Sequence, residues 1–166
     1  MKKLSTNGVK WLKIIHLVVL VLMMGGIICS TILRVSLRLT SLDEVLVTYR
    51  MLQGISDYVV RYGAQGLLLT GLAYSLLTNW GFFKHTWVTV KWAAFMLQTI
   101  FGIFFIDRWM VQNLALLETD GSAALTSPVF PQNHALIKYG AMVQIGVIVF
   151  LVWVSVVKPW RRRAAA

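Results

Sequence analysis

The chain has 166 residues, of which 58% are hydrophobic and only 13% are charged. A soluble domain of this length carries about a quarter of its residues as charged side chains, so the composition excludes an ordinary water-soluble protein. The apolar residues are collected in long blocks, and a helix that crosses a bilayer needs about 20 such residues in a row. The sequence therefore predicts one integral membrane domain over residues 1–166.

The first apolar block, residues 14–33, follows a basic N-terminal segment. It is longer than the ~7–15 apolar residues in the core of a signal peptide, and no small-residue cleavage site follows it. We therefore expect it to be retained as the first span. Cys29 is the only cysteine, so the chain can form no internal disulfide.

Residues 41–56, after the first span, have the three- and four-residue apolar spacing of an amphipathic helix. The apolar positions are Leu42, Val45, Leu46, Tyr49 and Leu52. Ser41 followed by Glu44 is typical of a capping box at the start of a helix. This helix is expected either to lie on the outer membrane surface or to extend the second span upward. Its residues Tyr49 and Leu52 are candidates for docking a partner protein.

Three further apolar blocks predict spans at residues 59–77, 88–106 and 137–157. The short turn over 78–86 makes the second and third spans antiparallel neighbours. The connection over 113–132 contains Gly121, Ser122 and two prolines, and it is expected to be irregular. The predicted fold is an all-α integral membrane four-helix bundle with an extra amphipathic helix between spans one and two.

The positive charges predict that both termini are cytoplasmic, because Lys and Arg flank spans on the inner side. With that orientation ten of the 16 Lys and Arg residues lie inside. The six on the outer side are Arg34, Arg38, Arg50, Arg61, Arg108 and Lys138. The net charge of +10 is explained in this way, so the expected partner is the lipid bilayer and not nucleic acid.

Polar side chains inside a span are functional candidates, because they are costly in hydrocarbon. His16 lies five residues inside the first span from Trp11, and Lys91 lies four residues inside the third from Trp87. At ~1.5 Å per residue, both are about 6–8 Å deep. They are predicted to face one inner site, although Lys91 at a helix end can also extend to the interface.

A second polar layer lies at the outer ends of the spans. Asp57, Arg61 and Gln65 are spaced four residues apart and share one helix face. The pattern fits either a local salt bridge or a vestibule that binds a substrate anion or a lipid headgroup. Deeper in the bundle, Gln98 and Gln144 are expected to form interhelical amide bonds that hold the helices together.

The chain resembles a superfamily of small four-helix bacterial membrane proteins that includes the HemJ-type protoporphyrinogen oxidases and the CopD-like copper-resistance domain. The resemblance is carried by His16 with Gly25 and Gly26 in span one, and by Trp87 through Lys91 at the start of span three. It is greatest with the uncharacterised members of that superfamily. Met23 and Met24 replace the aromatic residue usual before the glycines.

This resemblance implies a bacterial inner-membrane protein that binds haem b in a redox role. His16 would be an axial ligand of the iron, and Lys91 its partner or a contact of a propionate. Two other functions stay open. One is transport of a small molecule or of copper, for which Met23, Met24 and Cys29 supply soft ligands. The other is a non-catalytic scaffold, acting as a homo-oligomer or with a membrane partner.

Overall fold

The computed structural model of the protein describes residues 3–159, which form helices with no strand in that range. We label the helices α1 (Thr6–Ser36), α2 (42–77), α3 (Thr86–Asp120), α4 (Ala123–Thr126) and α5 (Val129–Val157). α2 and α3 each contain a wider π-helical segment, at Ser56–Val60 and Gly102–Asp107. The prediction of an all-helical fold is confirmed.

Three helices, α1, α3 and α5, are long and apolar enough to cross a membrane. They contain the predicted spans 14–33, 88–106 and 137–157. The fourth predicted span, 59–77, is the second half of α2. This helix is not apolar enough to count as a membrane-crossing helix by the same criterion of length and composition. Its apolar run is interrupted by Asp57, Arg61 and Gln65, and its first half is amphipathic.

The amphipathic segment forms a helix from Leu42 to Ile55, as predicted, and continues without a break into the second half of α2. This continuity agrees with the predicted alternative in which the amphipathic helix extends the segment 59–77. The prediction of a capping box is wrong, because the Ser41 side chain makes no capping hydrogen bond. The docking hypothesis for Tyr49 and Leu52 is also wrong, because both side chains are fully buried inside this chain.

The prediction of an irregular connection over 113–132 is wrong as well. α3 continues to Asp120, and a short α4 leads into α5 at Val129. Gly121 makes the turn possible, since its φ of +58° is one that residues with a side chain rarely adopt. Pro131 is compatible with the helix because it lies in the first turn, where its missing N–H would have no partner.

α1 and α2 pack closely along their length through glycines of α2. The ideal Cβ position of Gly63 lies 2.8 Å from the Cβ of Met23, and that of Gly66 lies 2.8 Å from Val19. The two helices are antiparallel, and their ends are joined where the Leu4 amide donates to the Leu77 carbonyl at 2.9 Å. α5 packs against both α1 and α3 and closes the bundle.

We call the end of the bundle that contains residues 78–85 the inner end, and the opposite end the outer end. At the outer end the helices form a separate hydrophobic core, which we call the outer cap. Its buried residues are Val45, Tyr49, Leu52, Met110, Leu114, Leu117, Ala124, Phe130 and Ile137. A second core, in the middle of the bundle, consists of Met23, Ile27, Leu67, Ala141 and Ile148.

Candidate functional site

The inner site is a group of polar and aromatic side chains contributed by three helices: His16 from α1, Thr70 and Tyr74 from α2, and Lys91 from α3. The Nδ1 of His16 is 2.7 Å from the Oγ1 of Thr70. The Tyr74 ring meets the imidazole edge-on, with the ring centroids 5.6 Å apart. The imidazole is therefore held on two sides by α2.

The hydrogen bonds of Thr70 favour one tautomer of His16. The Thr70 hydroxyl has one proton and lies 2.7 Å from the Gly66 carbonyl and 3.2 Å from the Leu67 carbonyl, either of which can accept it. With its proton used in this way, Thr70 accepts from His16 Nδ1, and this is the tautomer that we assign. This leaves the lone pair of the neutral imidazole on Nε2, which makes no hydrogen bond within residues 3–159. A fixed imidazole with a free Nε2 is the usual form of a metal-ligating histidine.

Lys91, on α3, makes no hydrogen bond to His16 in the described residues, so the sharing of one site by the two side chains stays a prediction. Its ammonium lies 5.9 Å from the centre of the Trp87 ring. Within residues 3–159 it makes neither a hydrogen bond nor an ion pair with a carboxylate. Lys158, just after α5, lies 5.8 Å from the Trp80 ring and 5.6 Å from the Trp87 ring. The described part of the inner site thus has two cations and no acidic side chain to balance them.

Aromatic rings surround these cations. Tyr74 stacks on Trp80 with centroids 5.2 Å apart, and Trp80 meets Trp87 edge-on at 5.5 Å. The indole N–H of Trp92 donates to the Ser75 hydroxyl at 3.0 Å. The sequence analysis used Trp11 and Trp87 as reference points for depth and Trp87 in the family resemblance, and it did not identify Thr70 or Tyr74. Their four-residue spacing on one face of α2 was the available signal.

The soft ligands suggested for copper do not come together. Met23 is buried in the middle of the bundle, whereas Cys29 is exposed on the outside of α1. Over residues 3–159 there is no group of three His, Cys, Asp or Glu side chains that could hold a metal ion. Among the predicted metal ligands, His16 alone has a geometry suited to that role.

The second predicted cluster forms an ion network between the two π-helical segments. Arg61 Nη2 lies 2.9 Å from Asp57 Oδ1 and 3.0 Å from Asp107 Oδ2. Ser56 donates to the other oxygen of Asp107 at 3.3 Å. Gln65 is exposed and makes no hydrogen bond within this network. Two carboxylates against one guanidinium leave one net negative charge, so the electrostatics suit a cation better than an anion or a lipid phosphate.

The outer cap contains a buried hydrogen-bond network that the sequence did not predict. Asn113 Nδ2 donates to the Tyr49 hydroxyl at 3.1 Å and to the Phe130 carbonyl at 3.0 Å. The Tyr49 proton is then free to point at His134 Nδ1, 2.9 Å away. Asn133 donates to Asn113 Oδ1 at 3.0 Å. These four side chains tie α2, α3 and α5 together.

Burial raises the pKa of the Tyr49 hydroxyl to about 12, against the smaller lowering effects of the Asn113 hydrogen bond and the Arg34 charge. The unfolded chain ionises this tyrosine near its ordinary value of about 10. The stability of the outer cap is therefore unaffected below that pH, and it falls as the pH rises from about 10 to about 12. Arg34 itself is 4% exposed, and its Nη2 contacts the Met110 sulfur at 3.3 Å.

The two deep glutamines do not form the predicted amide bonds. Gln98 is 5% exposed, and neither its Nε2 nor its Oε1 has a partner in the described part of the chain. Gln144 lies beside Gly102, whose ideal Cβ position is 3.0 Å from the Gln144 Nε2. The absence of a side chain at Gly102 leaves the space that the Gln144 amide occupies.

Comparisons of the chain with protein-family models, with curated proteins and with solved structures find no match. The resemblance to the HemJ- and CopD-like superfamily therefore stays a prediction, and the function has to be inferred from the geometry of the inner site.

Proposed function

We propose that the protein is a four-span membrane protein that binds haem b at the inner site for a redox role. The observation that carries this proposal is the 2.7 Å contact between Nδ1 of His16 and the Thr70 hydroxyl, from which we assign the tautomer. An imidazole whose Nδ1–H is fixed by Thr70 and whose Nε2 lone pair is free is ready to ligate a metal ion. The equal spacing of His16 and Lys91 from the tryptophans at their helix ends also favours a shared site.

The residues present fit the chemical groups of a haem. Nε2 of His16 suits the iron, and the two unbalanced ammonium groups of Lys91 and Lys158 suit the carboxylates of the propionates. Haem b, when bound, would supply a one-electron carrier. The protein side of this chemistry is positional: Thr70 is hydrogen bonded to the ring of His16, and Tyr74 packs against it edge-on.

The four-span arrangement is supported by the pairing of α1 with α2. Gly63 and Gly66 bring the two antiparallel helices into close contact, and Leu4 is hydrogen bonded to Leu77 at their inner ends. If α1 crosses the bilayer, the part of α2 that lies along it crosses the same layer. Both termini are then on one side, and the positive charges favour the cytoplasmic side of a bacterial inner membrane.

Cysteine labelling tests this topology, because Cys29 is the only native cysteine. In a Cys29→Ser background, the variants Asn79→Cys and Thr119→Cys each introduce one exposed thiol. With four spans, a membrane-impermeant maleimide should label position 119 in intact spheroplasts and position 79 only after permeabilisation. With three spans and the same orientation of α1, α2 stays outside and the pattern is reversed. The reversed result would therefore refute the four-span proposal.

The cofactor proposal is tested by the visible absorbance of the protein, expressed with haem available and purified in mild detergent. We expect a haem spectrum with about one haem per chain. A folded, helical protein with no visible absorbance would refute the proposal.

A further inference from the structure

One face of α2 has an unusual exposed composition. Its outward-facing side chains, which we call the α2 outward face, are Val47, Met51, Tyr58, Tyr62, Gln65 and Leu69. The exposed fractions are high, with 74% for Tyr58, 61% for Tyr62 and 65% for Leu69. The face is continuous from the outer cap into the second predicted span.

This face differs from the rest of the surface that lipid would cover. Over the predicted spans in α1, α3 and α5, every exposed residue is apolar, aromatic, glycine or the single cysteine. Within the four predicted spans, the exposed charged or amide side chains are Arg61 and Gln65, both on α2. An amide turned toward hydrocarbon loses its hydrogen bonds, which is costly, so lipid is a poor neighbour for this face.

At the outer cap the same face is unusual in the opposite way, because it exposes apolar side chains outside the predicted span. Val47 is 50% exposed and Met51 is 58% exposed, in a part of α2 that extends beyond the predicted span. Gly54 lies between Met51 and Tyr58, and a Cβ at Gly54 would meet nothing within 4 Å. A surface that is too apolar above the membrane and too polar within it is suited to contact another protein along its whole length.

We propose that the α2 outward face is the contact surface of a two-fold symmetric dimer of this chain. Two copies in one membrane have the same orientation, so their symmetry axis is parallel to the bilayer normal and their α2 helices run parallel. Residues on the axis then meet their own counterparts. An amide both donates and accepts, so Gln65 satisfies Gln65, and the gap at Gly54 lets the helices approach.

Charge does not oppose this pairing. Arg61 would come near the Arg61 of a second copy, but each guanidinium is already bound by Asp57 and Asp107 of its own chain. The proposal depends on the four-span topology and not on the haem. The maleimide labelling at positions 79 and 119 tests that topology separately.

Disulfide cross-linking in membranes tests the dimer. A disulfide needs Cα atoms about 4.4–6.8 Å apart, so only positions near the axis can form one. Gly54→Cys and Gln65→Cys, each in the Cys29→Ser background, should give a covalent dimer with a membrane-permeant copper–phenanthroline oxidant. The native Cys29 on α1 and a Gly146→Cys variant on α5 are matched controls, since Gly146 is also open at its Cβ. They should stay monomeric.

No covalent dimer at 54 or 65, or equal cross-linking at the control positions, would overturn the proposal. Light scattering of the wild type in mild detergent gives a second measurement, with the mass of two chains expected. The mass of one chain, alone or with a different protein bound, would overturn it as well.

The role of the amide is tested by replacing it. Gln65→Leu should weaken the dimer by about tenfold, because one interhelical amide contact is lost. Gln65→Asn should retain most of the affinity. Leucine suits a lipid-facing position, so the variant still inserts and folds, and circular dichroism checks this. Equal dimer affinity in the wild type and Gln65→Leu would overturn the amide pairing.

Discussion

The His16→Ala variant should lose the visible haem absorbance of the purified protein while keeping its helical circular dichroism. His16 is half-buried, and its one hydrogen bond in the described part of the chain is to Thr70, so with haem bound as proposed its removal would take away the iron ligand and little of the packing. Loss of a supporting residue beside a metal ligand costs about 10–100-fold in metal affinity, and loss of the ligand itself should cost at least that. The ratio of haem absorbance to protein absorbance is the measurement.

His85→Ala is the matched control, since His85 lies in the inner turn and its side chain makes no capping hydrogen bond at the start of α3. It should retain the full spectrum. Lys91→Ala should retain the iron ligand but hold haem more weakly, and Lys91→Arg should recover much of the loss if the cation binds a propionate. Equal haem content in the wild type and His16→Ala would refute the role given to His16.

The Gly63→Ala variant should be strongly destabilised. The added Cβ would lie 2.8 Å from the Cβ of Met23 and 3.0 Å from its backbone Cα and N, so no side-chain rotation can relieve the contact. The two helices must separate, and overpacking of this kind costs typically about 1–3 kcal/mol. We expect the upper end of that range, measured as the free energy of unfolding in detergent by circular dichroism.

Gly25→Ala is the control on the facing helix. A Cβ at Gly25 meets nothing within 4 Å, and replacing glycine by alanine in a helix should stabilise it by about 0.5–1 kcal/mol. Both variants replace glycine by alanine, but Gly63→Ala should lower the free energy of unfolding and Gly25→Ala should raise it. Equal stabilities for Gly63→Ala and Gly25→Ala would contradict the close packing of α1 on α2.

The helices that are apolar throughout were predictable from the sequence, because length and hydropathy suffice to recognise them. α2 was predicted in two parts, an amphipathic helix over 41–56 and a span over 59–77, and the sequence left open whether the two parts join, since the polar residues Asp57 and Arg61 lie around the junction. The connection over 113–132 was mispredicted because proline commonly interrupts a helix. Pro131 occurs in the first turn of α5, where proline is tolerated.

The sequence predicts the depth of residues at the inner site but not which side chains face one another there. Counting residues from Trp11 and Trp87 put His16 and Lys91 at one depth, and depth can be read from sequence because helix rise is constant. The rotation of one helix about its axis relative to another cannot be read in this way. Thr70 was therefore missed, as was the contact of Lys158 with two indole rings.

The outer network was not predictable, because its members come from segments with different expected structures. Tyr49 was expected on an exposed amphipathic face, and Asn113 and His134 stood at the edges of a segment expected to be irregular. Only the continuation of α3 to Asp120 and the start of α5 at Val129 bring the three side chains within hydrogen-bond distance.

The outer cap makes the two ends of the bundle differ in how easily a solute can enter. A polar solute arriving from the outer end meets a layer of side chains that includes Tyr49, Leu52 and Phe130, all fully buried, and the Tyr49 hydroxyl is already paired with His134 and Asn113. At the inner end, His16 and Lys91 are only half-buried, with Tyr74 packed against His16 and the Trp87 ring near Lys91. Any electron donor, proton or ligand that reaches the imidazole must therefore come from the inner face or sideways from the lipid. With the topology proposed above, that inner face would be the cytoplasmic one, so the site would be reached from the cytoplasm and not through the outer cap.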